Sequence, residues 1–308
     1  MAALYEKYGL ARSAQDFIGH ALALQSDDSY LTREALPTCN AIALYMNSVT
    51  RFGKSPFIYP LFGLGDLSQA FARLGAVHGG TYMLNVGDVV LLEQANEHGQ
   101  VISGVRTVPV EVHSNGAGKE ASNSHPAANL SSPIGTFQCR RGVIGDPSYF
   151  PSFVETKSKI IRAVCILPGP VPHTGGIDSL QIIIPQRELL RLSDMYITVL
   201  SHAHGVAPSP FFLAYISTLQ EQEHLDPIDE ISSALALLGP VLECFVFISN
   251  YCVPAKNSSC PQNLFISRSY DSSSHFESVC ADVKELYHQI TGRHIETILQ
   301  KDQVDVNK

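Results

Sequence analysis

The hydrophobic pattern changes its period near residue 59, and this change most constrains the fold of the 308-residue chain. Before it, apolar residues recur at the three- to four-residue spacing of amphipathic helices, over residues 14–25 and 34–50. After it, short apolar runs, several of them alternating with polar residues, are typical of half-buried antiparallel strands. The sequence therefore predicts a helical N-terminal part followed by a mixed α/β body. The predicted strands cover residues 81–84, 89–92, 101–105, 108–112, 160–167, 180–184, 195–200 and 211–216.

Three further helices are predicted inside this body, over residues 67–74, 228–238 and 276–290, the last followed by Gly292 as a C-terminal cap. Residues 113–138 differ from the rest of the chain, since they contain five Ser and four Ala with almost no large apolar side chains. Such a composition cannot bury enough apolar surface to offset the entropy lost on ordering. We therefore predict a flexible surface insertion there, with a phosphorylated or partner-binding segment as the alternative.

The charge balance argues against a surface that binds nucleic acid or anionic membranes. The chain has 21 Lys and Arg against 29 Asp and Glu, a net charge of −8, and its basic residues are scattered. No apolar run approaches the roughly 18 to 20 residues of a membrane-spanning helix. No signal peptide is visible, and the seven cysteines form no C-x-x-C pair, so the sequence predicts a cytoplasmic protein with reduced thiols.

Two glycine-containing segments match nucleotide-binding loops only in part. Gly63-Leu-Gly65 begins like a dinucleotide fingerprint, but the third glycine position holds Ser68, and a proline-containing loop rather than a strand precedes it. Gly53-Lys-Ser55 ends like a phosphate-binding loop, but the first glycine of that motif would fall at Ser48, inside a predicted helix. We therefore predict no cofactor, and we interpret the first segment as a turn that caps the following helix.

His202-Ala-His204 follows a predicted strand and offers two imidazoles at a spacing that some metal sites use. Because no third ligand is near in the sequence, an ordinary solvent-facing or hydrogen-bonded pair is favoured over a metal site. The sequence also lacks a G-x-S-x-G nucleophile elbow and an H-E-x-x-H motif. It therefore predicts a protein that is not an enzyme, with no catalytic residue and no metal.

A specific family resemblance lies in the block from Tyr59 to Asn85. Its two main stretches are Tyr-Pro-Leu-Phe-Gly-Leu-Gly-Asp-Leu-Ser-Gln-Ala-Phe-Ala-Arg-Leu, over residues 59–74, and Gly-Gly-Thr-Tyr-Met-Leu-Asn, over residues 79–85. This block resembles the most characteristic segment of Rab GDP-dissociation inhibitors (GDIs) and Rab escort proteins. The resemblance covers nearly the whole chain except residues 113–138, and the compact length favours the inhibitor branch. Further similar segments are residues 16–24, 51–56, 146–149, 181–186, 269–271 and 275–277.

The resemblance implies two domains of the α/β (mixed α+β) class. Residues 59–308 are expected to form a larger, Rab-binding domain with a flavoprotein-like fold of the FAD- or NAD(P)-binding type, built on a mixed or antiparallel sheet and used without a flavin. Residues 1–58 are expected to form the C-terminal part of a smaller helical lipid-binding domain and a mobile loop. Family members begin with a strand and a glycine-rich turn that have no counterpart here, so both domains are expected to be incomplete at the N-terminus.

The same resemblance implies a partner and a function. The family binds GDP-bound, prenylated Rab GTPases, slows their release of GDP and carries them between membrane and cytosol in vesicular traffic. For this chain we expect the same partners with their geranylgeranyl lipid, a monomeric state, and a cytoplasmic location with transient peripheral membrane association. The alternatives are a Rab escort protein that presents Rab to a geranylgeranyltransferase, and a flavin-dependent oxidoreductase derived from the same ancestral fold.

The resemblance also assigns the site, position by position. A Rab-binding platform is expected at Asp66, where the family usually has Glu, and at Arg73, Thr81 and Met83. Residues seven apart on a helix share a face, as do residues two apart on a strand, so each of the two pairs is expected to lie on one surface. The alternative is an ordinary solvated helix and strand. The mobile loop is expected at Arg51, Lys54, Phe57 and Tyr59.

The lipid pocket is expected on the two N-terminal helices. A geranylgeranyl chain needs an apolar cavity, because each CH₂ group removed from water contributes about 0.8 kcal/mol. The alternative is that the same side chains simply pack the two helices on each other. The residues in question are Phe17, Ala21, Ile42, Tyr45, Met46 and Val49.

Overall fold

The structure, a computed structural model, describes residues 1–51, 57–83, 89–96, 99–107, 135–255 and 260–295. The chain divides into two compact units. The first consists of Met1–His78, Lys157–Tyr251 and Tyr270–Phe276, and the second of Gly79–Thr156, Cys252–Ser269 and Glu277–Lys308. Among the described residues, none of the helices combines the length and the apolar character needed to span a membrane.

Helices open the chain and recur after several of the strands. The α-helices of the described residues are α1 (Ala2–Lys7), α2 (Arg12–Asp16), α3 (Ala35–Arg51), α4 (Leu64–Val77), α5 (Pro227–Glu230), α6 (Ser232–Leu238) and α7 (Glu277–Thr291). The second of these continues directly into a π-helix at Phe17–Leu22. Short 3₁₀ turns lie at Asp28–Thr32, Pro147–Tyr149, Pro151–Phe153, Gln186–Leu189 and His202–His204.

The strands of the described residues form one large sheet and two small ones. They are β1 (Val89–Asn96), β2 (Gly99–Thr107), β3 (Thr136–Gln138), β4 (Val143–Gly145), β5 (Val154–Leu167), β6 (Ser179–Ile184), β7 (Met195–Leu200), β8 (Phe212–Gln220), β9 (Glu243–Pro254) and β10 (Leu264–Ile266).

The first unit is built on the five-stranded sheet, in the order β6-β7-β8-β5-β9. Its pairs β6–β7, β7–β8 and β5–β8 are antiparallel. Alternate side chains of the long strand β5, from Ile161 to Leu167, are buried on one face and pack with Ile231, Ala234 and Leu238 at α5 and α6. The main core therefore lies between this face and the α5–α6 segment.

Strand β9 lies at one edge of the five-stranded sheet. Cys244 and Val246 turn toward the core, while Phe245 and Phe247 point to the opposite side and are 51% and 58% exposed. The strand is therefore apolar on both faces.

The N-terminal helices of the first unit pack around Tyr30, which is buried with Tyr5 and Met1. The rings of the two tyrosines meet edge to face, with centroids 6.4 Å apart. Gly19 lies so close to Tyr30 that a Cβ atom at this position would overlap the phenolic hydroxyl. The absence of a side chain at residue 19 thus allows the π-helical turn to approach the aromatic core.

The second unit contains the antiparallel sheet β1-β2-β3 and the parallel pair β4–β10. A small core of Ile102, Phe150, Leu264 and Ile266 lies among them. The amide of Asn263 joins the elements, since it accepts from the Ile102 N–H and donates to the Ile102 carbonyl, both at 2.7 Å.

Several predicted elements are confirmed. The helix over residues 34–50 is α3, the strand over residues 195–200 is β7 to the residue, and the last helix is α7, ended by Gly292 at φ +68°. The helix over residues 14–25 begins and ends slightly earlier than predicted. The helix over residues 67–74 is confirmed and is longer in the structure.

Other expectations differ from the structure or lie beyond it. Residues 108–112 and 113–134 lie outside the described residues, while Thr136–Gln138 at the end of the predicted insertion form β3. Strand β9, with the continuous apolar run Cys-Phe-Val-Phe-Ile, is not among the predicted strands. The domain boundary between residues 58 and 59 stays a prediction, as does the flexible insertion.

Candidate functional site

Helix α4 carries two of the residues predicted for the platform. Arg73 Nη2 lies 4.0 Å from Asp66 Oδ1, and the two side chains are 73% and 50% exposed. The prediction that they share a face is confirmed. An exposed pair of this kind contributes only about 0 to 1 kcal/mol, so exchanging it for contacts with a partner costs little.

The apolar residues of α4 are exposed as well. Helices on the surface of a globular protein usually turn their apolar stripe toward a core, and a contiguous exposed apolar patch commonly marks an interaction site. We call the exposed apolar residues of segment 57–77, together with Asp66 and Arg73, the α4 surface. Its large apolar members are Phe57, Ile58, Leu61, Phe62, Leu64, Leu67, Phe71, Leu74 and Val77.

Glycine forms the start of α4. Gly63 is the N-cap residue at φ +93°, a conformation that other residues rarely adopt, and its carbonyl accepts from the Asp66 N–H at 3.1 Å. The interpretation of Gly63-Leu-Gly65 as a capping turn is therefore confirmed.

The loop before α4 holds two residues predicted for the mobile loop. The Phe57 ring contacts the Tyr45 ring of α3 edge to face, with centroids 6.1 Å apart. Tyr59 is half-buried, and burial raises the pKa of its hydroxyl, as does the neighbouring Tyr215. Arg51 is exposed at the end of α3, and Lys54 lies outside the described residues.

The histidine pair belongs to a 3₁₀ turn rather than to a strand end, so its two imidazoles do not share a strand face. His202 is exposed, whereas the His204 ring meets the Tyr59 ring edge to face at 5.9 Å. The carbonyl of His204 accepts from the Phe62 N–H at 2.8 Å. The turn thus supports the loop before α4, a role that the spacing of the histidines could not indicate.

The other two platform residues belong to the second unit. Thr81 and Met83 are exposed, but residues 81–83 are not part of a strand, so the predicted strand over 81–84 is wrong where the structure describes it. A strand needs a partner, and none of the ladders among the described residues includes this segment. A shared strand face for these two residues is therefore not supported.

The residues predicted for the lipid pocket lie in different surroundings. Phe17 and Met46 are 60% and 54% exposed, whereas Ile42 packs against the Tyr30 cluster. Tyr45, Ala21 and Val49 are half-buried. The assignment of a lipid pocket stays a prediction.

A buried group of charges joins the N-terminal helices to the sheet within the first unit. His20 and Asp194 are almost completely buried, and the His20 Nδ1–H donates to Asp194 Oδ2 at 2.6 Å. On its other side, His20 Nε2 lies 3.4 Å from Asp28 Oδ1, and Arg187 donates to Asp28 Oδ2 and lies 3.7 Å from Asp16. We call these five residues the polar clasp.

Arg187 balances the acidic charges of the polar clasp, and the surroundings of His20 and Asp194 raise the pKa of both groups. Asp16, His20 and Asp28 offer ligand atoms within 4.8 Å of one another, and Arg187 supplies the positive charge that a cation would otherwise bring. Burial alone would lower the pKa of His20, but the hydrogen bond and charge of Asp194 and the nearby Asp28 raise it above the ordinary value. Burial raises the pKa of Asp194 as well. The pair therefore keeps its shared proton to higher pH than a free histidine.

A helix that exposes both apolar residues and a pair of charges is typical of a surface that contacts another macromolecule. The profile of the family described as GDI, GDP dissociation inhibitor, matches residues 1–115 and 123–303. The chain belongs to the GDP dissociation inhibitor family.

Named relatives agree with this assignment. The chain is 44% identical over 294 residues to the Rab GDP-dissociation inhibitor of Saccharomyces cerevisiae, a match that covers 95% of this chain and 58% of the relative. It is 40% identical over 295 residues to Rab GDP dissociation inhibitor beta of Canis lupus familiaris, with the same coverage. The chain therefore spans somewhat less than three-fifths of the length of these relatives.

A solved structure confirms the fold class. The crystal structure of a Rab GDI from Plasmodium falciparum matches 96% of this chain and 60% of its own chain, with a TM-score of 0.78 and 36% sequence identity. The expectation of a mixed α/β, flavoprotein-like fold is confirmed by this similarity.

Proposed function

We propose that this chain binds GDP-bound, prenylated Rab GTPases, slows their release of GDP and carries them between membrane and cytosol. The observation that carries the proposal is the α4 surface, which lies within the residues that match the family. The role is regulatory and needs no catalytic residue. As a monomeric carrier it would be cytoplasmic and would meet membranes transiently.

The chemistry of the α4 surface suits a folded protein partner. Interfaces are enriched in aromatic residues and Arg, and their energy is concentrated in a few anchors. Helix α4 exposes one residue of each kind, Phe71 and Arg73, which point to different sides of the helix. The Arg73 guanidinium can form planar, charge-assisted hydrogen bonds to a carboxylate or backbone carbonyl of the partner.

Binding the lipid of the partner requires a second apolar surface on this chain, separate from the α4 surface. Helix α3 exposes Leu36, Leu44 and Met46, and Phe17 is exposed on the preceding π-helix. Covering a prenyl chain contributes about 0.8 kcal/mol for each CH₂ group that leaves water. We propose that these N-terminal helices contact the lipid, whereas the α4 surface contacts the GTPase body.

The test is the extraction of prenylated Rab from liposomes. The purified chain is mixed with liposomes that carry prenylated Rab loaded with GDP or with GTP, and the Rab left in the supernatant after sedimentation is measured. We expect extraction of the GDP form above the GTP form. If a folded sample extracts neither form, the proposal is wrong.

A matched pair of variants tests the site. Arg73→Ala should reduce extraction about tenfold, the effect of removing one interface anchor of about 1.4 kcal/mol. Arg268→Ala is the control, since Arg268 is likewise exposed and paired with an acid, at 3.6 Å from Asp282, outside the α4 surface. If the two variants extract Rab equally well, the assignment of Arg73 to the Rab-binding site is wrong.

A further inference from the structure

We propose that the turn Ser201–Gly205, which we call the buttress turn, positions the α4 surface for its partner. The identity of that partner rests on the proposed function, whereas the geometry rests on contacts within the first unit. The buttress turn contains the His202-Ala-His204 motif, and in this proposal the motif acts through the loop before α4. Its residues are positioning residues.

The buttress turn is itself firmly held. Ser201 is completely buried, and its N–H donates to the Asp178 carbonyl at 2.8 Å. The Ser201 hydroxyl donates to Asp178 Oδ1 at 2.8 Å and accepts from the Ala203 N–H at 3.1 Å. Because Asp178 directly precedes β6 and Ser201 directly follows β7, the turn is fixed to the end of two sheet strands.

The loop before α4 rests on this fixed turn through two contacts. The Phe62 N–H donates to the His204 carbonyl at 2.8 Å, and the Tyr59 ring meets the His204 ring at 5.9 Å with an angle of 80° between the planes. The next residue after Phe62 is Gly63, the N-cap of α4. A displacement of Phe62 therefore displaces the start of the helix.

Gly205 determines how closely the loop can approach. Its φ is +68°, and a Cβ atom there would lie 2.7 Å from Phe62 Cδ1, too close for any real contact. Phe62 has φ +66°, which is uncommon for an aromatic residue, and its side chain is 75% exposed. Because the Phe62 ring is so exposed, it adds little to the hydrophobic core. Its close approach to Gly205 therefore determines the path of the backbone and contributes little to the stability of the unit.

Helix α4 links the position of its N-cap to the positions of Asp66 and Arg73. Its first turn is tied to Gly63 by the hydrogen bond from Asp66, and Arg73 follows two turns later on the same face. A helix moves as a rigid rod over this length, so a shift at its N-cap relocates both charges and the apolar residues between them. The buttress turn thus determines where the α4 surface presents its anchors.

The test compares two glycine substitutions with the same backbone penalty. Gly205→Ala introduces a methyl group against the Phe62 ring, whereas Gly175→Ala has the same φ of +68° and nothing within 4 Å of the added atom. Two quantities are measured for each full-length variant. They are the hydrogen–deuterium exchange of residues 64–77 and the Kd for GDP-loaded prenylated Rab.

We expect Gly205→Ala to speed exchange in α4 and to weaken Rab binding at least about tenfold, the loss expected when interface anchors are misplaced. Gly175→Ala should leave both quantities within about twofold of the wild type, because surface changes away from special contacts have small effects. The double variant Gly205→Ala, Phe62→Gly removes the ring that the methyl group meets and should restore the exchange of α4. Equal behaviour of the two alanine variants overturns the proposal.

Two further arrangements keep the test decisive. If Gly205→Ala does not fold, His204→Ala is compared with His202→Ala, and only the former should speed exchange at residues 59–66, since only His204 contacts Tyr59. Equal exchange would overturn the proposal. If the wild type binds no Rab, the proposed function is wrong, and the exchange measurements still decide whether the turn positions α4.

Discussion

Replacing Asp194 by Ala removes the acceptor around which the polar clasp is built. Asp194 is completely buried, and its carboxylate accepts from His20 at 2.6 Å and from the Gln186 N–H at 2.9 Å. The variant leaves a buried imidazole and a backbone N–H without this acceptor. Breaking a buried ion pair on one side costs about 3 to 5 kcal/mol, out of a total stability of roughly 5 to 15 kcal/mol.

A second substitution separates charge from shape. Asp194→Asn keeps the volume of the side chain and loses the charge, so the expected loss is about 1.5 to 3 kcal/mol, the contribution of one hydrogen bond to a charged group. The free energy of unfolding is measured by urea denaturation at 25 °C, with exposed Asp229→Asn as the control, which should change it by less than about 0.5 kcal/mol.

The loss should depend on pH in a defined direction. The pKa of His20 is raised in the folded protein, so its protonated form stabilises the fold at pH values below about 6.5, the ordinary value, and this contribution is lost as the pH rises through the raised pKa. The difference between the wild type and Asp194→Asn should therefore be largest near pH 6 and shrink toward alkaline pH. A difference that stays constant, or that grows with pH, would refute the assignment of a protonated clasp.

Two further predictions concern the packing of the first unit. Gly19→Ala should lower the free energy of unfolding by about 1 to 3 kcal/mol in urea denaturation, because the methyl group would overlap the Tyr30 hydroxyl, and unchanged stability would contradict the close packing. The Cys165 thiol is buried, and burial together with the neighbouring Cys244 raises its pKa to about 12, so its reactive thiolate is scarce at pH 8. Iodoacetamide labelling followed by peptide mass spectrometry should therefore modify the exposed Cys280 long before Cys165, and equal rates would count against this burial.

The local hydrophobic pattern was sufficient to predict some of the secondary-structure elements. Helix α3 could be predicted because its apolar residues recur with the helical period. Strand β7 is buried on both faces and could be predicted from its short run of apolar and β-branched residues rather than from alternation. Strand β9 has a similar continuous apolar run and was not predicted, so periodicity alone does not separate the two strands. Residues 81–83 show the opposite failure, since a strand-like pattern forms a strand only where a partner strand lies beside it.

The candidate site was predictable only where its residues are neighbours on one element. Asp66 and Arg73 share a helix, so their pairing follows from helical geometry. The pairing of His20 with Asp194 spans 174 residues, and no local pattern indicates it. The contact of Phe62 with Gly205 is also long-range, and in the sequence only the glycine itself, a residue that tolerates positive φ, hints at a special position.

The edge strand β9 bears on how this protein behaves at high concentration. Among the described residues β9 is an edge strand whose end is covered at Cys252 by hydrogen bonds with Ser269, while Phe245 and Phe247 add exposed aromatic surface at the edge, where another chain could pair. The net charge of −8 opposes such encounters by mutual repulsion. Salt shortens the reach of that repulsion to about 8 Å at physiological ionic strength. We therefore expect charge repulsion to contribute to the colloidal stability of the purified chain, and dilute, low-salt buffers to favour it.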